Sequence, residues 1–118
     1  TFDYEEVSRA LYVGDRQVFD GFVPAGQDFT LDITLRNTGT CAWEINAYLR
    51  FREGEFFDSQ QIVRFDRRIT VGDTYLIRFT GRAPNRNGEV TGNWDVLTAG
   101  GLRIWGDPLS ITVTVFGA

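Results

Sequence analysis

An all-β sandwich of antiparallel strands is the fold class that the sequence predicts, on three observations. Apolar and polar residues alternate with a period of two in several separate runs, the pattern of a strand with one buried and one wet face. Clusters of glycine, proline, asparagine and aspartate stand between those runs as turns. No stretch of three helical turns competes with them, and 118 residues, 42% of them hydrophobic, fit one domain with its own core.

Taken in order, residues 1–14 read as an N-terminal lead-in, with Tyr4 to Leu11 either a short helix or irregular, and residues 15–118 as the domain. Turns at Asp20-Gly21 and Pro24-Ala25-Gly26 precede the clearest strand, where Phe29, Leu31, Ile33 and Leu35 alternate with Thr30, Asp32, Thr34 and Arg36. Asn37-Thr38-Gly39 turns the chain toward Cys41 and Trp43; Leu49 and Phe51 then oppose Arg50 and Arg52, and Val63 with Phe65 makes a shorter run. Tyr75, Ile77 and Phe79 alternate with Thr74, Arg78 and Thr80, with Leu76 out of step. Val90, Gly92, Trp94 and Val96 share one face, and Leu109, Ile111, Val113 and Val115 share another. About seven such strands with turns at both ends describe an immunoglobulin-like antiparallel Greek-key β-sandwich, with 29–37 and 90–96 central.

Composition excludes several function classes. A net charge of -4 with scattered basic residues argues against nucleic acid, which needs a clustered positive surface. One cysteine and no histidine rule out a disulfide and the common zinc ligand sets, so neither a metal nor a cofactor is expected. No apolar run approaches the ~20 residues that membrane insertion needs. All twelve basic residues are arginine, which hints at a GC-rich bacterial genome. The start at Thr1 and the absence of methionine lead us to expect a piece of a longer protein.

Asp20-Gly21, Val23 to Gly26, Phe29-Thr30, the run from Leu35 to Cys41 with Trp43, Gly92-Asn93-Trp94 and Leu102 to Trp105 together resemble the four-tryptophan domain. That is the immunoglobulin-like central domain of the Next-to-BRCA-one autophagy cargo receptors, which also occurs as a module in many bacterial proteins. The resemblance covers residues 15 to 116, with Trp43, Trp94 and Trp105 matching three of the tryptophans and Ile33 standing where the family usually has the first. It implies a non-enzymatic binding or scaffolding domain; in the autophagy receptors the domain contacts cargo or cytoskeletal proteins.

Individual residues sort accordingly. Cys41 would need a base to act as a nucleophile, and with no histidine or lysine present it is expected to pack as a small side chain. Asn37, Gly39, Cys41, Trp43 and Trp94 are then structural: the first two shape the exit from a central strand, Trp43 closes one end of the sandwich and Trp94 fills the core. Trp105 has the parity of Leu109 but not of Ile104, which calls for a bulge at Gly106-Asp107-Pro108 and leaves Trp105 either in the core or outward beside Arg103. Carboxylates offer a calcium site or acid catalysis, but Asp15, Asp20 and Asp28 lack a calcium-loop spacing, and Asp32 and Asp95 read as solvated strand faces. Phe56 and Phe57 cannot both enter one sheet face, so either one ring faces outward, rimmed by Arg52, Glu55 and Asp58 as a candidate partner surface, or both tuck under a loop; Trp105 and Arg103 make another candidate surface.

The functional expectation is a non-catalytic module for protein–protein interaction, or for linking domains, within a larger bacterial protein. The competing readings are carbohydrate stacking on Trp105, Tyr48 and Phe57 and a mechanical spacer. The expected partner is a protein or peptide; a homodimer through an edge strand is open. A bacterial source favours the cell envelope or exterior, and use as in the autophagy receptors favours the cytoplasm.

Overall fold

The computed structural model describes residues 1–118 and builds nine strands in two facing sheets. They are β1 (Tyr4–Val13), β2 (Arg16–Val18), β3 (Phe22–Pro24), β4 (Asp28–Asn37), β5 (Tyr48–Gly54), β6 (Ile62–Arg64), β7 (Thr74–Arg82), β8 (Gly88–Leu97) and β9 (Arg103–Phe116). One sheet has the order β2-β1-β4-β7 and the other β3-β9-β8-β5-β6, so the chain changes sheets after β2, β3, β4, β6 and β7. This is the immunoglobulin-like sandwich that the alternating runs predict.

The two most regular runs become the two best-paired strands. β4 buries Phe29, Leu31, Ile33 and Leu35, and β8 buries Val90, Trp94 and Val96 against them. Ile77 and Phe79 of β7 and Leu109, Ile111, Val113 and Val115 of β9 complete a core in which Trp94 packs edge-on to Phe79 at 5.1 Å. Ile33 is fully buried. Gly92 permits a close backbone approach: a Cβ there would meet the Glu55 carbonyl oxygen at 2.1 Å.

Two expectations are corrected. The N-terminal segment is neither helical nor irregular, because residues 4–13 form a ten-residue strand paired along β4. Its alternation is hidden by a bulge between Glu6 and Ser8, which leaves Val7 exposed and only Tyr4 and Leu11 buried, with Val13 packed partly against the core. Nor is the sandwich wholly antiparallel, since β3 runs parallel to the end of β9.

The turn after β4 is held by one side chain. Asn37 is fully buried; its Nδ2 donates to the carbonyls of Cys41 at 3.0 Å and Ile69 at 3.1 Å, while its Oδ1 accepts from the Gly39 amide at 3.0 Å. Trp43 exchanges two backbone hydrogen bonds with Ile69 and is buried beside Phe65, closing that end of the sandwich. Cys41 was expected to pack, yet its side chain is exposed: its carbonyl is turned inward to Asn37 and the thiol faces out.

Candidate functional site on the outer face of the five-stranded sheet

Strand parity sends Arg103 and Trp105 of β9, Asp95 and Leu97 of β8, Tyr48 and Arg50 of β5, and Ile62 and Arg64 of β6 to one outer face. The ladders set them in rows: Arg103 opposite Leu97, Leu97 opposite Tyr48, Tyr48 opposite Arg64, and beside these Asp95 opposite Arg50 opposite Ile62. A bulge between Phe51 and Glu53 brings Arg52 onto the same face.

The bulge expected near Gly106 exists: Leu109 pairs with Trp94 while Ile104 pairs with Val96, so residues 105–108 stand opposite Asp95 alone. Trp105 therefore points outward, 58% exposed, with the Arg103 guanidinium over its ring at 4.4 Å. Arg64 stacks likewise on Tyr48 at 5.1 Å.

The N-terminal strand props the bulge from behind. The Trp105 amide donates to the Phe2 carbonyl at 2.8 Å, Asp3 bridges Trp105 in parallel, and the Tyr4 hydroxyl donates to the Asp107 carbonyl. Gly106 lies so close that a Cβ there would meet the Tyr4 carbonyl oxygen at 2.6 Å. Burial pushes the Tyr4 phenol up to about 12, with Arg103 pulling the other way and Asp95 adding to the rise.

Asp95 is not the solvated strand residue expected. Its side chain is 12% exposed and sits between Arg52 at 3.8 Å and Arg103 at 3.9 Å. Both are ion-pair distances without a hydrogen bond. Arg50 and Arg64 have no carboxylate within ion-pair reach.

The structure thus unites Arg52, Arg103 and Trp105 and separates them from the two phenylalanines. Phe57 was expected as a candidate surface ring, but it is fully buried and edge-on to Phe29 at 5.4 Å. Its φ of 59°, followed by 48° at Asp58, rotates the ring away from the direction an extended chain would give it. Phe56 is half-buried, edge-on to Phe51 at 5.1 Å and near Trp94. Arg50, Arg64 and the shielded Asp95 are contributors that sequence reasoning missed. Arg50 was legible as an outward strand residue, but the pairing that sets it against Asp95 was not. A second patch also went unnoticed, where Phe22 lies against Phe116 with centroids 6.2 Å apart and Phe19 is exposed nearby. Its rings fall at strand ends, where alternation carries little signal.

No three acidic or cysteine side chains converge where they could hold a metal ion. The family model described as the Ig-like domain from next to BRCA1 gene matches residues 18–115. No curated protein matches the sequence. Among solved structures, a β-glucosidase from Erythrobacter marinus is similar with a TM-score of 0.51 and 11% identity, over 98% of this chain and 16% of that one. The chain thus spans about a sixth of that enzyme's length, and the likeness is one of fold alone. A FixG-related protein from Vibrio parahaemolyticus follows with a TM-score of 0.46 and 11% identity, over 92% of this chain and 94% of that one.

Proposed function

The chain belongs to the family of the Ig-like domain from next to BRCA1, and from that premise we propose that it is a non-catalytic module that binds a protein through the outer face of β6-β5-β8-β9. The observation that carries this reading is the outward Trp105 stacked on Arg103 beside Tyr48 and Arg64. Tryptophan, tyrosine and arginine are enriched among the residues that dominate binding energy at protein interfaces, the aromatics because they bury large area at small entropic cost and arginine because its planar fork makes several directed hydrogen bonds. Here they stand on paired strands, and the bulge that presents Trp105 is pinned from behind by Phe2 and Tyr4. A rigid platform loses little freedom on binding.

Carbohydrate stacking is the weaker reading. Phe57 is buried, and one face of each remaining ring, on Tyr48 and on Trp105, is covered by a guanidinium. Of the three rings that a sugar platform would use, two remain outward, each with a single face open.

The test is a peptide-display selection on the immobilised chain, with counter-selection on the double variant Arg103→Ala, Trp105→Ala. Peptides that bind the parent at least about tenfold better than the variant support the face assigned. Ligands indifferent to both substitutions, or a glycan that quenches Trp105, would overturn it.

A further inference from the structure

Six of the twelve arginines are hydrogen-bonded to carboxylates, four share the outer face without such a bond, and Arg16 and Arg67, also without one, lie elsewhere. Arg9, Arg36, Arg68, Arg78, Arg82 and Arg86 each donate a hydrogen bond to a carboxylate within the chain, Arg9 and Arg78 through the two-bond fork that suits guanidinium. None of the four on the outer face, Arg50, Arg52, Arg64 and Arg103, does so. The nearest carboxylates to Arg52 and Arg103 stand at 3.8 and 3.9 Å, beyond hydrogen-bond reach. Arg64 spends only a long contact of 3.4 Å on the Asn46 carbonyl.

Charge is distributed to match. Four of the twelve arginines lie on this face around Asp95 and Glu53, while Glu89 stands six residues, about 20 Å, further along β8 and Asp107 lies at the rim. In a chain of net charge -4 this is a local positive field. At physiological salt the Debye length is about 8 Å, so a ligand on the face meets these arginines before the distant acids. Asp95, almost enclosed, keeps Arg52 and Arg103 side by side and leaves their outer N–H groups unspent.

We propose that the occupant of this face is an acidic protein segment, rich in aspartate and glutamate, with an apolar residue set against Trp105. This deepens the protein-binding reading above and rests on it. Carboxylates would take the free guanidinium forks in charge-assisted pairs, and the exposed Ile62 and the uncovered side of Trp105 would receive the apolar side chain. The opposite sheet offers no such field, because its outward Asp32 and Asp28 are already matched by Arg78 and Arg82.

The experiment titrates the whole chain with a synthetic glutamate-rich peptide of about twelve residues carrying one central phenylalanine, followed by tryptophan fluorescence. Trp43 and Trp94 are buried, so the change reports Trp105. We expect saturable quenching that weakens several-fold between about 50 and 300 mM NaCl and at least about tenfold in the variant Arg50→Glu, Arg64→Glu. Both sites are exposed, and a circular dichroism melt verifies that the variant folds. Equal binding of a lysine-for-glutamate peptide or of an oligothymidylate, or binding unaffected by the charge reversals, would overturn the proposal. If the glutamate peptide fails while displayed peptides still select this face, the acidic assignment falls and the protein-binding reading stands; if both fail, both fall.

Discussion

Replacing Trp94 by alanine should cost the domain about 4 kcal/mol, whereas the same change at Trp105 should cost less than about 1 kcal/mol. Trp94 is 1% exposed, and its ring lies 5.1 Å from Phe79, 5.2 Å from Phe51 and 6.2 Å from Phe56. A buried indole removes roughly 200 Å² from water, worth about 5 kcal/mol at ~25 cal/mol per Å². Its Nε1 has no acceptor in the protein, so removing it relieves about 1 kcal/mol of uncompensated desolvation. The net agrees with the ~3 to 5 kcal/mol range for aromatic truncations in cores. For a chain of this size, ~4 kcal/mol corresponds to a fall in Tm of about 15 °C. Urea unfolding followed by circular dichroism is the suitable assay, because each substitution removes a fluorophore. The m-value should stay constant while the midpoint moves. A Trp94→Ala loss below about 1 kcal/mol, or a Trp105→Ala loss equal to it, would refute the assignment of one ring to the core and the other to the surface.

Two further outcomes follow from single side chains. Asn37→Ala should destabilise by about 3 kcal/mol in the same unfolding assay, since it orphans the Cys41 carbonyl and the Gly39 amide and leaves the Ile69 carbonyl only the Trp43 amide; Asn37→Asp, which keeps one acceptor and loses both donors, should rescue little. For Tyr4, a folded pKa raised from 10.0 to about 12 means that its contribution is complete below pH ~10 and is lost as pH rises toward 12. About 2 kcal/mol should disappear across that window in the parent, and Tyr4→Phe should flatten the slope while costing about 1 kcal/mol at neutral pH. An unchanged slope in Tyr4→Phe would assign the alkaline loss to other groups.

The parts of the fold legible in the sequence are those where one strand face is uniformly apolar. β4 and β8 alternate without interruption, and each is hydrogen-bonded on both sides. The parity conflict around Trp105 was likewise readable, because a bulge inverts the faces on its two sides and the sequence preserves both phases. β1 was not readable: its own bulge falls in mid-strand, and of its residues only Tyr4 and Leu11 are buried. Phe57 was misjudged for a related reason, since a left-handed backbone at a phenylalanine has no compositional marker. As for the site, Arg52, Arg103 and Trp105 were picked out singly. Their assembly around Asp95 depends on β5, β8 and β9 lying side by side, a tertiary pairing that local pattern does not encode.

The parallel contacts of β9 have a mechanical side. Asp3 meets Trp105 in parallel near the start of β9, and β3 meets its last residues in parallel. The first residue is anchored at the turn beyond β4 and the last at the turn before β8, at opposite ends of a body 45 Å long. Tension applied to the two termini would pull along the strands, so these hydrogen bonds would be sheared together instead of unzipped one at a time. The same arrangement ties the flank of the five-stranded sheet to the first point of attachment, because Phe2 and Asp3 hold the bulge that presents Trp105, so tension strong enough to shear these bonds would release the platform.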